Sequence, residues 1–198
     1  MKKIISLFCR NYDGNRLVRD EIVPGAEWVV AGEGVPTEKF DGTACMVRGG
    51  RLFKRYDAKQ SKAPPADFEP TQDPDPVTGH WPGWVPVGAG PEDKHHRAAA
   101  IPAEDGTYEL VGPKIQGNPF YLNHVRLWRH GATVLKDVPR DYDGIRDWLA
   151  RSNVEGVVWH HADGRMVKIK RRDFDLPWPL GRVWQGPYYV SPCVPREP

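Results

Sequence analysis

The chain has 198 residues, enough to form one domain with a hydrophobic core of its own. Hydrophobic residues make up 39% of the chain and charged residues 27%, a composition that excludes an intrinsically disordered protein. The formal net charge is only +2, so any binding to nucleic acid must come from local basic patches rather than from a general positive field.

Cysteine usage and the N-terminal sequence point to a cytoplasmic protein. Cys9, Cys45 and Cys193 are widely separated and lack metal-ligand spacing, so neither a disulfide framework nor a zinc site is expected. Charged residues from Arg10 onward interrupt the short apolar segment near the N-terminus, so it does not predict a signal peptide. No apolar run has the length of a membrane span, and we expect a monomer that does not bind membranes.

The N-terminal part of the chain predicts β-strands. Gly49 and Gly50 lie between two strand-like segments, and a Gly-Gly pair in this position predicts a hairpin turn. The predicted strands here are Ile4–Phe8, Glu27–Val30, Thr43–Val47 and Arg51–Arg55.

The segment from residue 59 to about residue 97 differs in composition from the residues before it. It contains eight prolines between Pro64 and Pro91 and few aliphatic residues. We therefore expect an ordered or partly mobile insertion outside the hydrophobic core, held to the domain by the packing of Trp81 and Trp84.

Strands resume after the insertion, and one helix is predicted. Asp141 is a suitable N-cap, and Ile145, Trp148 and Leu149 follow with the spacing of an apolar helical stripe. The predicted elements are strand Gly106–Val111, strand Asn123–Arg129, helix Asp141–Asn153, strand Val154–His160 and strand Arg165–Lys170. An Ala-Asp-Gly sequence between the last two strands predicts a hairpin turn, and the proline-rich residues 175–198 predict an irregular tail.

Lys39 has the setting of a nucleophile. It directly precedes Phe40, Asp41 and Gly42, and Asp-Gly predicts a turn into the strand that starts at Thr43. A protonated lysine cannot attack a phosphate, so nucleophilic use requires surroundings that favour the neutral amine, such as neighbouring cations.

Candidate cations occur in the last predicted strand. Lys168 and Lys170 are two residues apart, so their side chains emerge on one face, while Val167 and Ile169 lie on the other. Paired ammonium groups suit a triphosphate, and close to Lys39 they would also favour its neutral form.

Two glutamates lie in apolar strands, where a carboxylate is costly unless it binds a partner. Glu109 alternates with Tyr108 and Leu110, and Glu155 lies near the start of the apolar segment Val154–His160. A metal ion or the hydroxyl groups of a ribose would supply such a partner.

In chain order, these motifs resemble those of the covalent nucleotidyltransferases, the superfamily of ATP-dependent RNA and DNA ligases and mRNA capping enzymes. The Lys-Phe-Asp-Gly sequence at 39–42 resembles the KxDG motif I of that superfamily. The sequences that begin at Glu109, Glu155 and Lys168 resemble motifs III, IV and V. The segment from Glu109 to Pro119 is also similar to a group of small RNA ligases with an animal relative.

The resemblance implies a role for each motif residue. Lys39 is expected to form lysyl-AMP from ATP, with Glu38 and Gly42 beside it at the nucleotide. Glu155 is expected to bind Mg²⁺, with Mn²⁺ as an alternative. Arg55 is expected at the ribose or the donor phosphate, with Arg48 as the less favoured alternative. The other residues expected at the nucleotide are Glu109 at the ribose hydroxyls, Trp128 over the adenine, and Lys168 and Lys170 at the phosphates.

The resemblance also implies the fold. It implies an α+β, ATP-grasp-like nucleotidyltransferase core of two antiparallel sheets with few helices and an ATP cleft between the sheets. Residues 1–198 are expected to be a single adenylyltransferase domain that carries the insertion at about 59–97 and the tail at 175–198. Most ligases and capping enzymes add a further domain after motif V, often an OB-fold, and no such OB domain is expected here. The basic cluster Lys94–Arg97 is hypothesised to take over part of its role.

The resemblance favours an ATP-dependent RNA ligase that acts in RNA repair. It would join a 5′-phosphate end to a 3′-hydroxyl end through lysyl-AMP and an adenylylated 5′ end. RNA is favoured over DNA by the resemblance to small RNA ligases alone. A capping-type guanylyltransferase and a DNA ligase stay open as enzymatic alternatives, and a nucleotide-binding module that has lost catalysis stays open as a non-enzymatic one.

Overall fold

The computed structural model describes residues 2–59 and 63–181. In these ranges the strands are β1 (Ile5–Ser6), β2 (Phe8–Arg10), β3 (Val18–Ile22), β4 (Val35–Lys39), β5 (Thr43–Arg48), β6 (Arg51–Ala58), β7 (Glu69–Pro70), β8 (Trp81–Pro86), β9 (Gly106–Val111), β10 (Arg126–Arg129), β11 (Gly156–His160) and β12 (Met166–Lys170). The helices are α1 (Glu27–Val30), α2 (Lys94–Arg97) and α3 (Tyr142–Arg151), and short 3-10 turns lie at Pro91–Asp93 and Arg171–Phe174. The α+β class with few helices is therefore confirmed.

The described chain divides into two compact units. Unit 1 consists of residues 2–3, 41–59 and 63–130, and unit 2 of residues 4–40 and 131–181. The predicted nucleotidyltransferase core and the single-domain organisation stay predictions.

Unit 1 is built on a six-stranded antiparallel sheet with the strand order β10-β9-β5-β6-β8-β7. The β5–β6 hairpin turns at Gly49 and Gly50, as predicted, and both residues have the positive φ that favours glycine in such turns. One face of the sheet forms a core that includes Cys45, Val47 and Leu110. Because side chains alternate along each strand, the residues between these positions share the opposite face.

Unit 2 contains a four-stranded sheet with the order β1-β12-β11-β4 and a two-stranded ribbon of β2 and β3. The short strand β1 runs parallel to β12, while the other pairs of this sheet are antiparallel. Val157 and Ile169 lie opposite each other on β11 and β12, and both belong to the buried core of this unit. The sheet therefore buries one face of its central strands.

Helix α3 covers that core and confirms the helix prediction within two residues at each end. A carboxylate oxygen of Asp141 accepts a hydrogen bond from the Gly144 backbone N–H at 2.8 Å, which caps the first turn. Ile145, Trp148 and Leu149 are buried in the same cluster as the sheet residues. The apolar stripe read from the sequence is thus the face that packs.

The predicted strand at Glu27–Val30 is wrong, because this segment forms helix α1. Trp28 and Val29 are buried, whereas Glu27 and Val30 are exposed. Two adjacent buried side chains fit one side of a helical turn, but they do not fit a half-buried strand, in which successive side chains point to opposite faces.

The expectation that the insertion lies outside the core is wrong for its second half. Strand β8 pairs along β6, and Trp84 is only 4% exposed. Pro82 and Pro86 lie near the two ends of β8, where a missing N–H interrupts the ladder least. Trp81 donates its indole N–H to the carbonyl of Gln72 at 2.8 Å, a contact within the insertion. The buried Trp84, opposite Arg55 of β6, holds the segment to the sheet as predicted.

Several smaller expectations can be compared with the described residues. Cys45 is fully buried and, like Cys9, is a free thiol, whereas Cys193 and residues 182–198 of the predicted tail lie outside the described part of the chain. In the ranges that the structure describes, no helix is both long enough and apolar enough to cross a membrane.

Candidate active site

Lys39 is the last residue of strand β4, where the chain leaves the four-stranded sheet of unit 2. Its backbone lies opposite Gly156 of β11, and the short connection of residues 40–42 follows at once. The prediction that Lys39 lies at a junction between a strand and a loop is confirmed. Such a junction gives the side chain a fixed origin on the sheet.

The same sheet brings three lysines to one face. Gly156 lies between Lys39 on one side and Lys170 on the other. Lys168 follows in the next row on the same face, opposite Val158. Since neighbouring strands are about 4.8 Å apart, the backbones of Lys39 and Lys170 are separated by about 10 Å. Gly156 has no side chain to occupy the space between them.

Glu155 supplies the negative charge at this lysine face. Its Oε2 atom lies 2.6 Å from the Nζ atom of Lys39. The Lys39 side chain is 21% exposed and the Glu155 side chain 9%, so both charges are largely withdrawn from water. Lys39 Nζ also donates to the carbonyl of Phe40 at 3.2 Å. The candidate nucleophile is therefore held next to a carboxylate.

The positive charges on this face affect the pKa of Lys168. Burial, together with the neighbouring charges of Lys39 and Lys170, lowers the pKa of its ammonium group to about 8. Asp173 and Glu155 oppose the shift but do not cancel it. An anion bound at this face would relieve the repulsion, as the sequence predicts for a phosphate site.

Glu38 does not share this face. It lies opposite Val157, whose side chain belongs to the core, and it is 5% exposed. In the part of the chain that the structure describes, its buried Oε2 atom has no hydrogen-bond partner. Burial raises the pKa of this carboxyl group to about 8. The structure thus directs Glu38 away from the lysine face, and its predicted nucleotide contact stays a prediction.

Unit 1 carries a second group of predicted site residues on one face of its sheet. Glu109 lies directly between Trp128 of β10 and Ala44 of β5. Arg55 is on the same face, because its neighbour Lys54 pairs with Cys45 on the core side. The register of distant strands therefore gathers Arg55, Glu109 and Trp128 on one surface.

Gly42, three residues after Lys39, is tied to this group. Its backbone N–H donates to the Oε1 atom of Glu109 at 3.1 Å. A Cβ atom at this position would overlap the carbonyl oxygen of Leu110, so only glycine allows so close an approach of the two chain segments. Packing therefore requires glycine at this position.

Arg55 and Trp128 have their own neighbours on this surface. Arg55 donates from Nε to Asp57 at 3.0 Å, and its guanidinium lies 6.0 Å from the ring of Trp84. The Trp128 ring meets Phe120 edge to face, with centroids 4.7 Å apart. Arg55 and Trp128 thus add one cation and one aromatic ring to the sheet face that carries Glu109.

Comparison with known proteins shows a sequence similarity to RNA ligases. A sequence profile described as RNA ligase 1 matches residues 98–190. The chain is 27% identical to the RNA ligase 1 of Pongo abelii over 74% of this chain and 69% of that protein. It is also 27% identical to the RNA ligase 1 of Mus musculus, over 74% and 68% of the two chains, and 29% identical to that of Danio rerio, over 52% and 43%. This chain is therefore similar to proteins named RNA ligase 1.

The match to the RNA ligase profile covers part of the candidate site. It includes Glu109, Trp128, Glu155, Lys168 and Lys170, and it starts after motif I. The resemblance to RNA ligases that the motifs indicated is therefore confirmed. The roles of the individual residues stay predictions.

Other basic residues named from the sequence have structural partners. Arg97 of the cluster Lys94–Arg97 donates to the backbone carbonyls of Gly88 and Gly90 at 2.6 and 2.7 Å, which holds helix α2 to the preceding turn. The cluster's predicted help in the adenylylation step stays a prediction. Arg171, the basic residue that follows Lys170, is only 2% exposed, so its side chain is buried and cannot contact nucleic acid.

Sequence reasoning missed one residue of the unit 1 group. His130 directly follows strand β10, and its Nε2 atom lies 2.7 Å from the Oε2 atom of Glu109. A lone histidine before a glycine reads as a turn residue, and nothing local distinguishes it. His130 is two positions after Trp128, so the two side chains lie on the same side of the strand. The pairing of β10 with β9 is what shows that this side is also the face of Glu109.

Proposed function

We propose that this chain is an ATP-dependent RNA ligase that forms lysyl-AMP at Lys39 and joins 5′-phosphate to 3′-hydroxyl RNA ends in RNA repair. The similarity to proteins named RNA ligase 1 supports the reaction class. One observation carries the assignment of the site, namely the ion pair of Lys39 with Glu155 on a face shared with Lys168 and Lys170.

In the first step Lys39 acts as the nucleophile. Its Nζ atom forms a bond to the α-phosphorus of ATP while the bond to the bridging oxygen breaks, and pyrophosphate leaves. Nζ must lose a proton for this attack, and the Lys39 side chain is 21% exposed, so the proton can pass to water. The AMP then passes to the 5′-phosphate of an RNA end, and attack by a 3′-hydroxyl releases AMP and leaves a phosphodiester.

Lys168 and Lys170 bind the phosphates in this proposal. Their side chains leave β12 on the face of Lys39, and the two buried residues Val167 and Ile169 fix the strand beneath them. A triphosphate between the lysines would stabilise their charged forms, and the same charges would stabilise the departing pyrophosphate.

The unit 1 surface binds the nucleoside in this proposal. Glu109, an acceptor with two oxygens, suits the two hydroxyl groups of a ribose. Trp128 offers an aromatic ring of the kind on which a base stacks, and Arg55 offers a guanidinium for the ribose or the donor phosphate. These assignments rest on the residue types and on their common face.

Mg²⁺ fits this chain as a partner of the substrate phosphates. Across residues 2–59 and 63–181, no group of three or more His, Cys, Asp and Glu side chains is placed to hold a metal ion. Mg²⁺ commonly takes one or two carboxylates and completes its shell with waters and substrate phosphates. Glu155 would hold the ion, and a bound ion would supply positive charge to the triphosphate.

The test is direct transfer of label. Wild type, Lys39→Ala and, as a matched control, Lys136→Ala at an exposed lysine of unit 2 are incubated with α-labelled ATP or GTP and Mg²⁺. With ATP, we expect the wild type and Lys136→Ala to become labelled and Lys39→Ala to remain unlabelled. A 5′-phosphorylated RNA nick and its DNA equivalent are then added, and sealing of the RNA is expected.

Each alternative predicts a different result. Label from GTP would replace the proposal with a guanylyltransferase, and sealing of DNA alone would replace it with a DNA ligase. If neither nucleotide forms a covalent adduct, the proposal is replaced by a nucleotide-binding module that has lost catalysis. Label retained by Lys39→Ala would assign the nucleophile to another residue.

A further inference from the structure

The carboxylate of Glu109 is held from two sides within unit 1. Oε1 accepts the backbone N–H of Gly42 at 3.1 Å, and Oε2 lies 2.7 Å from Nε2 of His130. The Glu109 side chain is 12% exposed and the His130 side chain 19%. Each oxygen of this largely buried carboxylate therefore has its own partner, and together they define one orientation of the group.

His130 is itself fixed by backbone and packing. Its backbone N–H donates to the carbonyl of Thr107 at 3.1 Å, which continues the pairing of β10 with β9. An ionised carboxylate only accepts hydrogen bonds, so Nε2 is the ring nitrogen that carries the hydrogen toward Glu109. Nδ1 is buried and has no hydrogen-bond partner among the described residues. Among the described residues, the imidazole ring therefore forms its hydrogen bond with Glu109, through Nε2.

We propose that His130 is a positioning residue, which acts through Glu109 to hold the carboxylate where it receives the hydroxyl groups of the nucleotide ribose. This inference rests on the proposed function, because it takes Glu109 as the ribose acceptor. A glutamate side chain has three rotatable bonds and, without a second anchor, samples several rotamers. His130 removes that freedom before the nucleotide arrives, so binding does not have to restrict it.

A purely structural role for His130 predicts a different behaviour. The backbone bond to Thr107 survives any substitution of the side chain, so the end of β10 stays paired. A variant that only loosened the sheet would weaken binding of every nucleotide equally. Loss of the Glu109 anchor affects only those nucleotides that present the hydroxyl group to be recognised. Ribose discrimination therefore separates the two roles.

The experiment measures adenylylation of Lys39 with ATP and with 2′,3′-dideoxy-ATP, which presents neither ribose hydroxyl group, over a range of concentrations. The variants are His130→Leu, which removes the donor, and His130→Gln, whose amide nitrogen can replace Nε2. His124→Leu is the matched control, because His124 is an exposed histidine of the same unit. Wild type and control are expected to prefer ATP. In His130→Leu the KM for ATP should rise by about 10-fold or more, the equivalent of one charge-assisted hydrogen bond.

The KM for 2′,3′-dideoxy-ATP should change little in His130→Leu, so the preference for ATP should fall. His130→Gln should restore that preference. His130→Asn, too short to reach Oε2, gives the same test if the leucine variant does not fold. Equal loss with both nucleotides, or an unchanged preference, would overturn the role of His130 while leaving ligation intact. A wild type that forms no lysyl-AMP would instead overturn the proposed function, and this inference with it.

Discussion

Glu38 makes the stability of this protein depend on pH in an unusual direction. Its carboxyl group is 5% exposed, and burial raises its pKa from 4.5 to about 8. Between these two values the folded chain keeps the proton and the unfolded chain releases it. Unfolding therefore releases a proton, and a rise in pH through this window favours the unfolded state.

The magnitude follows from the size of the shift. One pKa unit corresponds to about 1.4 kcal/mol, so the full difference between 4.5 and about 8 amounts to at most about 5 kcal/mol. At pH 7 most of the window has been crossed, and the cost of Glu38 is about 3 kcal/mol. The loss begins above the unfolded pKa and is complete above the folded one.

Glu38→Gln is the variant that isolates this effect, because glutamine has nearly the same shape and no proton to lose. We expect its free energy of unfolding in urea to match that of the wild type near pH 4.5 and to exceed it by about 3 kcal/mol at pH 7. Glu21→Gln, at a carboxylate whose side chain is 59% exposed, is the control and should follow the wild type. Parallel pH profiles for the wild type and Glu38→Gln would refute the reasoning.

Two further predictions concern ATP binding at Lys168 and the stability that the buried Arg171 contributes. Because the pKa of Lys168 is about 8, ATP binding to Lys39→Arg, which removes the nucleophile but keeps the neighbouring positive charge, should weaken as pH rises from 7 to 9. Adding Lys168→Arg should flatten that dependence in a calorimetric titration, since arginine stays charged. An equally steep profile with arginine would contradict this account. Arg171 donates to carbonyl oxygens at the end of α3, including that of Ser152 at 2.8 Å, so Arg171→Leu should lower the free energy of unfolding by about 3 kcal/mol. The exposed Arg172→Leu should change it little in the same denaturation assay, and similar losses in both variants would show that burial of the guanidinium is not the cause.

Local sequence was sufficient for elements whose signals are short-range. The alternation of Lys168 and Lys170 with apolar residues predicted both faces of β12, because side chains of a strand alternate whatever the strand pairs with. Asp141 predicted the start of α3, since a cap bonds to backbone two or three residues away. The resemblance of the motifs likewise pointed to RNA ligases before any strand was placed.

Elsewhere, tertiary packing overrode the local signal. Glu27–Val30 has the β-branched and aromatic residues of a strand, yet it forms a helical turn that buries Trp28 and Val29 together. Two prolines made Trp81–Pro86 look like a loop, but pairing with β6 makes it a strand. In both segments, partners distant in sequence decided the conformation.

What the sequence determined by itself is the inventory of the candidate site: a lysine before an Asp-Gly turn, two glutamates in apolar strands and a pair of lysines on one face. What the tertiary structure decided is which of these groups meet. Lys39 and Glu155 are 116 positions apart in the chain and 2.6 Å apart in space, because β4 and β11 pair in one register. His130 meets Glu109 for the same reason in the other sheet. A shift of one residue in either register would send the side chains to the opposite face, and the strands that fix each register are distant in sequence.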